Sequence, residues 1–275
     1  KYSVIFTCDD FSSTLKKAQE ILPLKDTYEN DYLYTSFVKP VAYSMDGYYF
    51  LKFNLAYAAI HPLTQEEFLT KYPFLVVFHE KGELIEFRFD VLKRVFLSDK
   101  KEPTIYSNLI AEMSDYFKEH FACDLIPLNL DFMVNVCKRD ENVKLIAQSM
   151  KLPNGGNAQL DVGNNQEYIL PFIGELRSLL NDNQAELEKV PDFREALEQF
   201  MFEMEEMSDY PWIELLWENE IKTRSNRVKF VFNYMNKSYC LIQYYYSNVL
   251  IGMERMNYVI EYIVNHRNDD TTQNE

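Results

Sequence analysis

Glycine and cysteine are scarce in this chain, and the motifs that mark most cofactor or metal sites are absent. Only seven of the 275 residues are glycine, and no glycine-rich pattern of the kind that holds a nucleotide phosphate occurs. The four cysteines lie far apart without a CxxC pair, which argues against zinc ribbons and thioredoxin chemistry. The four histidines are scattered too, with no pair at the spacing of a zinc-binding helix. We therefore predict no cofactor and no metal site.

Long apolar runs and positive charge are also lacking. No apolar stretch approaches the roughly 18 residues of a transmembrane helix, and no basic-then-apolar leader follows Lys1. Together with the widely spaced cysteines, this predicts a cytoplasmic protein with no membrane partner. The chain carries 43 acidic residues against 28 lysines and arginines, for a net charge of −15. Such an acidic field works against gripping duplex nucleic acid along an extended surface, although a local basic patch can still bind it.

Aromatic residues are plentiful, with 20 phenylalanines and 20 tyrosines, and in the first half they follow strand-like patterns. Asp46-Gly47 between two apolar runs predicts a hairpin, and the segment 74–89 predicts a second one. Apolar spacing predicts a helix over 104–121. We therefore predict an α+β fold whose residues 1–150 form an antiparallel sheet with flanking helices. Three shorter elements are expected there as well: helices at 64–71 and 143–150, and a strand at 131–137.

The chain changes character after residue 150. Residues 151–166 are rich in glycine and asparagine, which predicts a linker. Residues 167–267 are predicted to form a mainly α-helical C-terminal domain, followed by a flexible tail over 268–275. The helices predicted in this domain are 169–180, 192–207, 210–221 and 248–266. For 228–246 a helix is favoured, and the alternative is two strands joined by a turn at Asn236-Lys237.

Basic and aromatic residues concentrate in this second half. The dense basic cluster there consists of Lys222, Arg224, Arg227 and Lys229. It precedes a tyrosine-rich segment that includes Tyr245, and cations beside aromatic rings are typical of sites for anions or single-stranded nucleic acid. These five residues are therefore candidate binding residues. Trp212 and Trp217 are two more, because tryptophan is a frequent anchor of protein interfaces.

Acidic residues form two further features. The hairpin 74–89 and its exit carry Glu80, Glu83, Glu86 and Asp90. Metal-dependent nucleases hold Mg²⁺ with carboxylates beside a lysine on neighbouring strands, but Arg88 stands where that lysine is needed and does not readily release a proton. Between residues 186 and 220, twelve acidic residues stand against two basic ones, a density that is typical of a solvated helix face and also suits a basic partner.

These observations predict a non-catalytic cytoplasmic interaction or regulatory protein that binds another macromolecule. The partner is expected to be a protein or a second copy of the chain. The alternative is a nucleic-acid-associated protein, or a nuclease-like enzyme that depends on a divalent metal, using the acidic hairpin and the local basic patch. A third possibility is an acidic inhibitor that mimics nucleic acid.

Overall fold

The structure, a computed structural model, describes most of the chain and divides it into two compact units. The described residues are 1–21, 33–45, 47–60, 63–92, 102–140, 142–151, 156–161, 176, 179–206, 208–218, 225–245 and 253–267. The first unit contains residues 1–130, 233–243 and 256–265, and the second contains 131–232, 244–255 and 266–275. Among the described helices, none is long and apolar enough to cross a membrane.

The described residues form eleven strands, and each strand ladder described below is antiparallel. In the N-terminal part the elements are β1 (Tyr2–Thr7), α1 (Phe11–Gln19), β2 (Val41–Met45), β3 (Tyr48–Ile60), β4 (Glu67–His79), β5 (Leu84–Phe89), α2 (Glu102–Phe121) and β6 (Ile126–Pro127). They continue with α3 (Met133–Arg139), β7 (Lys144–Lys151), β8 (Asn157–Asp161), α4 (Gln184–Leu187), α5 (Pro191–Glu206), β9 (Asp209–Trp217), β10 (Asn226–Val231), β11 (Leu241–Tyr245) and α6 (Met253–His266).

The first unit has strand order β2-β3-β4-β5-β1-β11, and β6 adds to β1. One face of this sheet is aromatic: the rings of Phe78 and Phe87 contact Phe117 of α2 at centroid distances of 6.1 and 5.7 Å. Helix α1 begins after Asp10, whose carboxylate accepts a hydrogen bond from the Ser13 N–H at 2.9 Å. Aspartate is a strong N-cap because it satisfies an amide that has no partner within the helix.

Helix α6 contacts the opposite face of the same sheet. Val259, Ile260 and Ile263 are fully buried, as expected for the apolar stripe of an amphipathic helix. The turn between β4 and β5 approaches this helix closely. A Cβ atom on Gly82 would lie 2.6 Å from Cγ2 of Val264, so glycine is required there.

The second unit has strand order β10-β9-β7-β8. Alternate residues of β9 and β10, among them Ile213, Leu215, Val228 and Phe230, are completely buried. Helix α5 is anchored through Met201, which is 3% exposed and packs in one cluster with Met150. Most of the remaining surface of α5 is exposed to solvent.

The prediction of a mainly α-helical C-terminal domain is wrong. Of the helix predicted over 210–221, residues 210–217 belong to β9, and residues 219–221 lie outside the described residues. The segment 228–246, for which the sequence favours a helix, contributes to β10 and β11 as the two-strand alternative expected, with residue 246 outside the described residues. In β9, buried Ile213 and Leu215 alternate with Trp212 and Glu214 on the other face. Trp212 and Leu216 on that outer face are also apolar. The segment therefore lacks the alternation of apolar and polar residues that indicates a strand.

Three shorter predictions are also wrong. Residues 64–71 do not form the predicted helix, because β4 starts at Glu67. The segment predicted as a strand over 131–137 contains the helix α3, and the segment predicted as a helix over 143–150 forms the strand β7.

Both hairpins are confirmed: β2 pairs with β3 around Gly47 (φ +81°), and β4 pairs with β5. The helix at 104–121 is confirmed, and those at 192–207 and 248–266 are confirmed over the described parts, 192–206 and 253–266. Residues 207 and 248–252, and most of the helix predicted over 169–180, lie outside the described residues. The tail 268–275 lies outside the described residues, and the predicted linker is described only at 151 and 156–161.

Candidate functional site

Four of the seven predicted binding residues lie together on the outer face of the second unit. Lys229 on β10 stands directly opposite Glu214 on β9, and Val231 stands opposite Trp212. Side chains two residues apart on a strand share a face, so Arg227 joins this group. We call Trp212, Glu214, Arg227, Lys229 and Tyr245 the cation–aromatic cluster.

Each cation of this cluster has a carboxylate and a ring as neighbours. The Arg227 Nε donates a hydrogen bond to Glu214 Oε1, and its guanidinium carbon lies 5.5 Å from the centre of the Tyr245 ring. Lys229 Nζ lies 3.6 Å from the centre of the Trp212 ring. Burial lowers the pKa of Lys229, and the nearby Glu214 carboxylate opposes that shift. The two cations are therefore engaged within the sheet face.

Of the other three predicted residues, only Trp217 is described, and it lies on the other face of the sheet. Trp217 is only 3% exposed and lies on the inner face of β9, where it alternates with Leu216. Lys222 and Arg224 lie outside the described residues. Sequence reasoning also missed Glu214, because a single carboxylate in an apolar segment gave no sign that two cations would lie beside it.

A second surface of interest lies on α5. Phe193 and Phe200 are 61% and 50% exposed, and Val190 just before the helix is 49% exposed. At 100° per residue, positions seven apart share a face and lie about 10 Å apart along the axis. We call Val190, Phe193 and Phe200 the aromatic helix face. Phe202, 56% exposed, points to roughly the opposite side of the helix.

This helix is strongly acidic. Residues 191–206 include six acidic residues and one basic residue. That base, Arg194, already forms an ion pair with Glu198 at 2.7 Å. The aromatic helix face is therefore set in a surface of negative charge.

A third group is buried in the first unit. Glu86 Oε2 lies 2.8 Å from His79 Nε2 and 2.6 Å from an Nη2 atom of Arg88, and the three side chains are 0%, 4% and 2% exposed. The same Arg88 nitrogen donates to Asn257 Oδ1 of α6 at 2.7 Å. We call His79, Glu86 and Arg88 the buried charged group. Its sequence signal was two charged residues at 86 and 88, which share one face of an otherwise apolar strand.

Electrostatics fix the charges of this group. Burial lowers the pKa of His79 and outweighs the opposing effect of the hydrogen bond that its ring donates to Glu86, so the neutral ring is favoured. Burial favours the protonated form of Glu86, but the Arg88 guanidinium and the His79 contact prevail and hold the pKa of that carboxyl below its usual value. The group is thus an ionised Glu86–Arg88 pair with a neutral imidazole on the carboxylate.

The His79 side chain also lines a cavity of about 220 Å³. Its wall includes Tyr48 of β3 and Glu261 of α6, whose side chains are joined by a hydrogen bond from the Tyr48 hydroxyl to Glu261 Oε1 at 2.9 Å. Burial, with help from this hydrogen bond, raises the pKa of Tyr48 to about 12. Ile260 and Val264 supply the apolar part of the wall.

Within the described residues, no group of three or more histidine, cysteine, aspartate or glutamate side chains is placed to hold a metal ion. Glu86, the acid nearest to a nuclease pattern in the sequence, is bound to Arg88 and His79 instead. Comparison with protein-family models, curated proteins and solved structures finds no match to this chain.

Proposed function

We propose that this protein works by binding another protein, and that the aromatic helix face of α5 is the contact surface. The observation that carries the proposal is the exposure of Phe193 and Phe200 on one face of a described helix. Large apolar side chains that lie together on a surface are typical of interaction sites, and phenylalanine is among the residues enriched in interfaces.

The charge of α5 supports a basic partner. Cations are favoured at helix C-termini because the last carbonyls carry partial negative charge. Helices α1, α2 and α6 follow this rule with basic residues in the last turn, whereas α5 has none. Its sequence instead ends with glutamates at 203, 205 and 206, which costs about 0.3–1 kcal/mol each at such a position. Glu203 accepts a hydrogen bond from Gln199 Nε2 at 2.9 Å, and the negative charge at this end of the helix suits a basic partner.

The proposed partner is therefore a basic amphipathic segment of another protein. Its apolar side chains would cover Phe193 and Phe200, and its lysines or arginines would face the surrounding carboxylates. A second copy of this chain is a poorer occupant because it carries the same charge of −15, and like charges would meet at the contact.

A surrogate peptide tests the proposal. The probe is a fluorescent peptide of about 20 residues with leucine and lysine at helical spacing, and its control has glutamate in place of every lysine. We expect the lysine peptide to bind the wild-type protein and the glutamate peptide not to bind. Replacing both Phe193 and Phe200 with serine should weaken binding by about tenfold or more, because central aromatic anchors carry most of an interface's binding energy.

Phe202→Ser is the matched control. It removes an equally exposed ring from the same helix but from the other side, so its dissociation constant should stay within about twofold of wild type. Equal affinity for the two peptides, or an equal loss of binding in the Phe202 variant and the double variant, would contradict the proposal. Fluorescence anisotropy at two salt concentrations measures both effects, because the charge contribution weakens with added salt.

The nucleic-acid alternative has less support from the geometry. A phosphate site needs cations whose charge is available to phosphate, but Arg227 pairs with the Glu214 carboxylate and lies near the Tyr245 ring, and Lys229 lies over the Trp212 ring. The metal-dependent alternative has no ligand set in the described part of the chain. A binding assay tests the nucleic-acid alternative directly. Salt-sensitive binding of single-stranded DNA that is lost in Arg227→Glu would favour nucleic acid over a protein partner.

A further inference from the structure

The cavity beside His79 lies within the first unit and is separate from α5. Its volume of about 220 Å³ is below the roughly 300–1,000 Å³ of sites for drug-sized ligands. It therefore suits a molecule of only a few non-hydrogen atoms. Ile260 and Val264 line one part, and the polar groups of His79, Tyr48 and Glu261 line another, so an occupant needs an aliphatic part and a polar end.

The buried charged group determines what His79 presents to the cavity. An ionised carboxylate can only accept hydrogen bonds, and Glu86 Oε2 faces His79 Nε2 at 2.8 Å. The neutral ring must therefore carry its proton on Nε2, which leaves Nδ1 as an acceptor. His79 is only 4% exposed to solvent and lines the cavity, so Nδ1 is the acceptor that its ring can offer an occupant.

Tyr48 and two glutamates also offer hydrogen-bond acceptors to the cavity. The Tyr48 hydroxyl gives its hydrogen to Glu261, so its oxygen is left with lone pairs only. Glu261 is an exposed carboxylate at the cavity, and Glu80 adds a second acid to the rim against one base, Lys81. Asn265 also lines the cavity and has an amide that can donate as well as accept. The side chains of Tyr48, His79, Glu80 and Glu261 offer acceptors, and the net formal charge of the lining is negative.

We propose that this cavity is a binding site for a small primary amine in its protonated form. The ammonium group would donate to Glu261 Oε, to Tyr48 Oη and to His79 Nδ1, and the aliphatic part would contact Ile260 and Val264. Three N–H donors match three acceptors, and the Tyr48 ring favours a cation further. The buried charged group has a defined role in this site, because Arg88 keeps Glu86 ionised and Glu86 fixes the proton on the far side of the His79 ring.

The probe is n-butylamine, with the neutral n-butanol and the anionic butanoate as controls of the same chain length. The readout is the pair of ring ¹⁵N signals of His79 in the full-length protein, titrated with each compound to about 10 mM, a range that reveals millimolar dissociation constants. We expect saturable shifts with n-butylamine and none with the two controls. Equal responses to all three compounds, or no saturable shift with n-butylamine, would overturn the proposal.

Two exposed glutamates of α6 give a matched pair of variants. Glu261→Gln removes the charge at the cavity and should weaken n-butylamine binding by about tenfold, as expected for the loss of a charge-assisted hydrogen bond. Glu254→Gln makes the same chemical change away from the cavity and should bind as wild type does. Unchanged affinity in Glu261→Gln, or an equal loss in both variants, would contradict the assignment. Binding of the basic peptide to α5 should be the same in both variants, so failure of this site and failure of the α5 surface are distinguishable.

Discussion

The two units each hold a glutamate between basic side chains on a sheet face, but at very different depths. In the buried charged group, His79, Glu86 and Arg88 are at most 4% exposed. In the cation–aromatic cluster, the Arg227 side chain is 55% exposed while its partner Glu214 is 7% exposed. A buried ion that loses its partner remains uncompensated, because water does not reach it. A half-exposed ion pair is screened by solvent and contributes little to the free energy of unfolding. Replacing a charged residue is therefore expected to cost more stability in the buried charged group than in the cation–aromatic cluster.

The largest expected effect is on Arg88. Arg88→Met leaves Glu86 as a buried carboxylate without its cation, and we expect the free energy of unfolding to fall by about 3–5 kcal/mol. Urea denaturation followed by circular dichroism measures this. The double variant Glu86→Leu with Arg88→Met removes the stranded charge and should recover at least half of the loss. If the double variant is as unstable as the single one, the cost arises from packing rather than from charge.

The next largest effect is a loss of stability on acidification, caused by His79. Its pKa is lowered in the folded protein, so between that value and the unfolded value of about 6.5 the unfolded chain binds more protons. The contribution of the neutral His79 to the free energy of unfolding is therefore fully present above pH 6.5. It is lost as the pH drops below that value, by at most about 1.4 kcal/mol per pH unit. The urea midpoint of His79→Gln should fall less between pH 7 and pH 5.5 than that of wild type. An identical change in the urea midpoint for His79→Gln and the wild-type protein would exclude His79 as the cause.

The cation–aromatic cluster should respond more weakly. Arg227→Met is expected to cost at most about 1 kcal/mol, since Lys229 still stands opposite Glu214. Lys229→Met removes the cation from the Trp212 ring and should cost about 0.5–1 kcal/mol. Both losses should shrink in high salt, which the same denaturation experiment detects. A loss near that of Arg88→Met would show that this cluster is as dependent on its charges as the buried group.

The smallest effect on stability is expected at α5. Phe193→Ser, Phe200→Ser and Phe202→Ser each change an exposed side chain and should alter the free energy of unfolding by no more than about 0.5 kcal/mol. The same variants should differ in peptide binding. A large loss of stability in Phe193→Ser or Phe200→Ser would mean that these rings support the fold, and it would remove the basis for assigning them to a partner.

The sequence predicted the parts of the fold in which local signals and tertiary contacts agree. Asp46-Gly47 identified the first hairpin because its turn chemistry is local, and the α2 stripe ending near Phe121 identified a helix. It failed at β9 because Trp212 and Leu216 are apolar on the outward face, so no clean alternation survives. The prediction of a helix over 64–71 failed because the pairing of β4 with β3 overrides local helix propensity.

The candidate sites were less predictable still. Arg227, Lys229, Trp212 and Tyr245 were selected for composition, and the structure does bring them together, but around a glutamate that was not foreseen. His79 and Arg88 gained a role only when β4 paired with β5 and α6 covered them. Such groupings depend on register and on contacts between distant segments, which a single sequence does not reveal.

Hydrogen–deuterium exchange of the full chain with and without the lysine peptide tests the proposed function most directly. If the aromatic helix face is the contact surface, amides of residues 191–206 become protected on binding while those of β9 and β10 do not change. Protection confined to 209–231, with α5 exchanging as in the unbound protein, would contradict the proposal and transfer the binding site to the cation–aromatic cluster.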